Sequence, residues 1–155
     1  MLIKITLFIT LLMYAFIVGQ SFFYILALSN ASKKMQATSY IETRKLIDAE
    51  LQSRLSLVYY TALAASILLT AFSIVNPNGI LFISSVIALI ALVIDIAIAL
   101  KGNIPINKTI NSWSTSQYPA NWQQVRSKWF SIYHIRQAVN IAGFISLLAG
   151  LVFGL

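Results

Sequence analysis

The chain has 155 residues, 59% hydrophobic and only 10% charged, with a net charge of +7 and a mean hydropathy of +0.81. A soluble domain carries roughly 25% charged residues, so this composition excludes an ordinary soluble enzyme and a disordered tail alike. There is no cysteine and a single histidine, His134, which excludes disulfides, thiol nucleophiles and a multi-histidine site within one chain; no metal and no cofactor is expected.

Four apolar segments follow one another, at about 5–28, 55–75, 80–100 and 135–155. The first follows Lys4, and Ala27-Leu28-Ser29 is a tolerable cleavage site. Its apolar stretch is nevertheless longer than the roughly 7–15 residues of a signal core, and it is read as a retained span. The connection at 30–54 contains a run from Tyr40 to Arg54 with few helix breakers. Arg44 with Asp48 and Glu50 with Arg54 are spaced as i,i+4 pairs, and the run is predicted to continue as helix into span two. Asn76-Pro77-Asn78-Gly79 is a tight-turn signal that folds spans two and three into an antiparallel hairpin.

After span three, residues 101–120 hold Gly102, Pro105, Pro119 and several Asn and Ser, and are predicted to form an ordered polar loop. Asn121 is then a candidate N-cap for a helix running into span four. The two continuous helices would each have about 36 residues and reach roughly 54 Å at 1.5 Å per residue. A bilayer core is about 30 Å thick, so both must project beyond it. The expected fold is all-α: one four-span domain over 1–155, a four-helix transmembrane bundle with two helices extended on the cytoplasmic side.

Charge sets the expected orientation. The first connection carries Lys33, Lys34, Arg44, Lys45 and Arg54 against Glu42, Asp48 and Glu50. The second, with the start of span four, carries Lys101, Lys108, Arg126, Lys128 and Arg136 and no acid, whereas the opposite side has only Lys4. The positive-inside rule places the long connections in the cytoplasm and both termini outside, in a multi-pass protein of the cell (inner) membrane. The basic charge is accounted for by topology and anionic headgroups rather than by nucleic acid. The expected partners are membrane lipids and a lipophilic small molecule, with a homo-oligomer left open.

Asp95 stands inside the third apolar run, where a carboxylate is expensive and marks a functional site by default. Span four carries a second anomaly: Trp122, Arg126, Trp129, Tyr133, Arg136 and Asn140 recur at helical spacing on one face. This seam is either an interfacial belt of aromatics and snorkelling arginines or the wall of a pocket for a flat or anionic ligand. Gln20 and Tyr24 in span one, and Tyr59 and Tyr60 in span two, lie at the same depth as Asp95. Ser84, Ala88 and Ala91 give span three a small-residue face that permits close inward packing. Arg136 is the first candidate partner for Asp95 and Arg54 the second. The pair could serve only to fix helix register, or Asp95 could accept a proton while Arg136 holds a substrate anion. His134, one residue off the seam, is a candidate general base or a simple hydrogen-bonded interfacial residue.

Gly19-Gln20, the element Asn103-Ile104-Pro105-Ile106-Asn107, and the run Trp122, Arg126, Trp129, His134, Arg136 form a set across nearly the whole chain. The set resembles the anthrone-oxygenase-like family of small integral membrane proteins, a group largely of unknown function. The resemblance implies a four-helix membrane bundle and, by its fungal members, cofactor-independent oxygenation of anthrones to anthraquinones. It also implies that Asn103, Asn107, Trp129, His134 and Arg136 are signature positions. The chain departs from the family pattern at Ser29-Asn30-Ala31 and at 40–44, which marks a distinct subgroup.

Two functions follow as expectations. The first is a cofactor-free oxygenase or other oxidoreductase of a lipophilic, anthrone- or quinone-like aromatic. Its substrate would stack near Trp129 and Tyr133, with His134 or Asp95 as base. Arg136 and Asn107 would hold the oxyanion, and Asn103, Asn140 and Gln20 would complete the pocket. The second is a non-enzymatic lipid- or small-molecule-binding membrane protein or accessory subunit. A transporter is weaker, because four spans without internal repeats or broken helices lack the usual architecture.

Overall fold

The computed structural model describes residues 1–154 and has no strand among them. Its helices are α1 (Leu2–Lys34), α2 (Ala37–Ser73), α3 (Ile80–Asn111) and α4 (Trp122–Gly154). The chain is an all-α four-helix bundle, and each helix is long and apolar enough to cross a membrane. At 1.5 Å per residue they measure about 48–56 Å, well beyond a hydrocarbon core of about 30 Å.

The extensions expected on α2 and α4 are present, and α1 and α3 extend beside them. Helix α1 runs on through Ser29–Lys34, so its connection to α2 is only Met35 and Gln36, both in extended backbone, and not 30–54. Residues 101–111, expected as loop, continue α3 as helix. Gly102 and Pro105 are absorbed by a π-turn over Ala99–Asn103, in which the Ile104 N–H donates to the Ala99 carbonyl. This wider turn directly precedes Pro105, which has no N–H to place and whose ring would strike a regular α-ladder. Pro105 then lies in the first turn of the resumed helix, where proline is tolerated. A second π-turn, Tyr24–Leu28, interrupts α1. The loop that remains after α3 is 112–121.

The turn at 76–79 closes as its sequence predicts, with the Gly79 N–H donating to the Asn76 carbonyl at 2.9 Å. A Cβ on Gly79 would lie 2.7 Å from the Asn76 side-chain amide and 3.1 Å from its carbonyl oxygen, so a larger residue there would push the Asn76 side chain aside. The small face of α3 packs on α4, and this is the most extensive interface in the bundle. A Cβ on Gly143 would sit 3.0 Å from Ala91 Cβ, and one on Gly150 would sit 2.8 Å from Ser84 Cβ. Backbones can approach this closely only because these positions are small. Tyr14 of α1 adds a hydrogen bond to the Ala88 carbonyl.

Large apolar side chains also cover the outside. Phe8, Phe16, Ile67, Ile83, Ile90 and Phe153 are all exposed, as expected of a surface that faces lipid. Inside there are two cores. Leu7, Tyr14, Ile17, Leu69, Leu92 and Leu147 belong to the one between the apolar spans. Tyr24, Tyr40, Ile41, Ile110, Trp113, Trp129 and Tyr133 belong to the one between the extensions. Along every helix the polar residues of interest lie between the residues of these two cores.

Candidate functional site

Asp95 has no solvent exposure. Arg136 donates to it through Nε at 2.6 Å to Oδ1 and through Nη2 at 3.3 Å to Oδ2, the forked geometry that suits guanidinium to carboxylate. The Tyr59 hydroxyl donates to Oδ2 at 2.6 Å. Arg136 reaches on to the Tyr59 hydroxyl at 3.2 Å and to Asn103 Oδ1 at 3.3 Å, and Asn103 Nδ2 donates to the Trp129 carbonyl at 3.0 Å. Helices α2, α3 and α4 are thus tied at one level. The expected first partner of Asp95 is the observed one. Arg54 is instead exposed and pairs with Glu50 at 3.2 Å, as its i,i+4 spacing predicts.

A second network centres on Asn107. Its Oδ1 accepts from Arg44 Nη2 at 3.0 Å and from Trp129 Nε1 at 2.7 Å, and its Nδ2 donates to Asp48 Oδ1 at 2.9 Å. Asn111 Nδ2 donates to the other Asp48 oxygen at 2.6 Å. The Arg44–Asp48 pair expected along α2 is not formed. Tertiary partners displace it: Asp48 turns to α3, and Arg44 turns to Asn107 and to the Tyr24 hydroxyl at 3.1 Å.

Between these networks lies a cavity of about 500 Å³. Its polar lining includes Gln20, Tyr24, Arg44, Asp48, Tyr59, Asn103, Asn107, Lys108, Asn111, Trp129, Tyr133 and Arg136, and its apolar lining includes Leu51, Leu55, Leu63, Ile96, Leu100 and Ile104. Tyr60 and Leu100, both lining residues, are 73% and 59% exposed, and Gln52, Lys108 and Asn111 are exposed as well, so the cavity opens between α2 and α3. Both π-turns contribute to its wall through Tyr24 and through Ala99, Leu100 and Asn103. π-turns are frequent at functional sites.

Of the residues singled out from sequence, Gln20, Asn103, Asn107, Trp129, Tyr133 and Arg136 line this cavity. Asp95 lies behind Arg136 and does not line it. Asn140 is buried, its Oδ1 without a partner, and also lies outside the lining. His134 is exposed, with its ring 6.2 Å from that of Phe130. The inward step from Tyr133 to Arg136 leaves positions 134 and 135 on the outside of α4, and both are exposed. His134 therefore does not reach the cavity.

The α4 seam faces inward: Arg126, Trp129, Tyr133 and Asn140 are buried, and the Arg136 side chain is 12% exposed. An outward-facing interfacial belt does not describe it. Arg126 donates to the Ser32 and Met35 carbonyls at 2.9 and 3.2 Å and lies over the Trp122 ring at 4.6 Å, capping the end of α1. Trp129 has Arg44 over its ring at 4.2 Å and Tyr133 stacked on it at 4.8 Å. With 3% of its surface exposed, it has no free face on which a flat substrate could stack.

Sequence reasoning missed Arg44 as a cavity residue. The available signal was its spacing of four and three from Tyr40 and Ile41, which places all three on one face of α2; all are buried. Among the described residues, no group of three or more His, Asp or Glu side chains could hold a metal ion. Comparison with family models, with curated proteins and with solved structures gives no match.

Proposed function

We propose that this multi-pass membrane protein binds a lipophilic small molecule that enters from the bilayer. The observation that carries this reading is the 500 Å³ cavity, lined by both polar and apolar side chains, within the size range of small-molecule pockets. The charge bias of the connections supports a cytoplasmic position for its polar lining. Binding is favoured over chemistry because the two candidate bases are withdrawn: Asp95 is fully engaged by Arg136 and Tyr59, and His134 faces outward. Native mass spectrometry of gently solubilised protein checks this reading. We expect a co-purifying lipophilic compound at one per chain, lost in Leu63→Trp, which fills the space beside the apolar lining. An empty wild-type protein that takes up no lipophilic probe would count against it.

One observation favours a second reading, cofactor-free oxygenation of a lipophilic aromatic, as the family resemblance implies. Asp48 is a carboxylate on the cavity wall and could accept the acidic proton of such a substrate. Oxygen uptake by metal-free protein across a panel of anthrone-like compounds tests it. Turnover should fall by about 100-fold or more in Asp48→Asn, and no turnover by wild type discards this reading while leaving binding intact.

A further inference from the structure

The cavity holds two arginines in very different electrostatic states. Arg136 is neutralised by Asp95 through a forked pair. Arg44 is only 6% exposed, yet it has no carboxylate within 4.0 Å among the described residues, where Arg54–Glu50 and Arg136–Asp95 are the salt bridges. Its contacts are the Tyr24 hydroxyl, the Asn107 amide oxygen and the Trp129 ring. All three are uncharged; they orient the guanidinium without cancelling it. Its Nε is buried with no hydrogen-bond partner. Asp48, one turn along α2, has its two oxygens held by Asn107 and Asn111 and lies in a less buried position. Arg126, the other buried arginine of this region, is compensated differently, by the carbonyl end of α1.

A buried charge is costly unless an opposite charge meets it. Arg44 lines the cavity, so an anion there could be that partner, met by the second hydrogens on Nη1 and Nη2; Nε is closed off from it. Lys108 also lines the cavity but is exposed, so Arg44 is the one buried cation of the lining without an ion pair, and it calls for one negative charge. The apolar part of the lining, Leu55, Leu63 and Ile96, calls for a hydrocarbon body. We propose that Arg44 is the anchor of the ligand's headgroup, and that the ligand is a lipophilic monoanion of the carboxylate class. This rests on the binding reading above and narrows its ligand; it also moves the anion-binding role from Arg136 to Arg44.

The full chain in phosphatidylcholine nanodiscs provides the test, through quenching of tryptophan fluorescence by brominated stearic acid and by its methyl ester. With Trp113 and Trp122 replaced by Phe, the remaining Trp129, which lies against Arg44, reports occupancy. The acid, ionised, should bind about tenfold or more tightly than the ester, as expected for one charge-assisted hydrogen-bonded contact. Arg44→Gln should lower affinity for the acid to that for the ester, and Arg44→Lys should keep part of the preference. Equal affinity of acid and ester with Arg44 intact would overturn the anion proposal and leave the binding reading standing. No saturable quenching by either would overturn both. If Arg44→Gln does not fold, the comparison of acid with ester at intact Arg44 still decides.

Discussion

Asp95 receives hydrogen bonds from Arg136 and Tyr59 in a place that water does not reach. Removing its carboxylate alone leaves Arg136 buried and unmatched. Asp95→Ala should therefore destabilise the protein by about 3–5 kcal/mol, while Asp95→Leu combined with Arg136→Met should restore most of that loss. Reversible unfolding in mixed micelles measures both, and a neutral Asp95→Ala would show that the pair does not hold the bundle. Asn107 is the other polar hub. Asn107→Ala removes bonds to Arg44, Trp129 and Asp48. At about 0.6 kcal/mol for each membrane-protein hydrogen bond, a loss of about 2 kcal/mol is expected in the same assay.

At the scale of elements, small residues decide how near α3 and α4 can come. A Cβ at Gly143 meets the Tyr14 hydroxyl at 2.9 Å and Ala91 Cβ at 3.0 Å. Gly143→Ala should cost about 1–3 kcal/mol through overpacking. Gly19, also within a helix, has nothing within 4 Å of the same position, and Gly19→Ala should stabilise by about 0.5–1 kcal/mol through helix propensity. The opposite signs of these two changes, read as unfolding midpoints, separate packing from propensity. Breakers behave less simply. Pro105 marked a loop by composition, yet α3 passes through it because the π-turn over Ala99–Asn103 shifts the ladder by one residue. Nothing in the local sequence distinguishes a proline that ends a helix from one that follows a π-turn.

For the whole molecule, every basic residue but Lys4 lies on the connections, the helical extensions or at the level of Asp95. This predicts that the connecting ends are cytoplasmic. The chain has no cysteine, so single reporters are unambiguous. A thiol placed by Ser116→Cys in the 112–121 loop should be protected from a membrane-impermeant maleimide in intact cells. One placed by Asn78→Cys in the opposite turn should be labelled. The reverse pattern would invert the topology.

Composition and hydropathy by themselves determined that the chain is a four-span α-helical membrane bundle, because apolar runs of bilayer length have few other solutions in lipid. They also pointed to a polar layer at the level of Asp95 and to a cationic partner for it, Arg136 before Arg54, since a lone intramembrane carboxylate demands a cation at its own level; the structure chose Arg136. The tertiary structure alone decided which side of each helix the polar groups take. It turned His134 outward, closed Asp95 behind Arg136, and drew Arg44 away from Asp48 into the cavity. Those outcomes depend on α-helical rotation and on competing partners from other helices, and i,i+4 spacing within one helix cannot rank such partners.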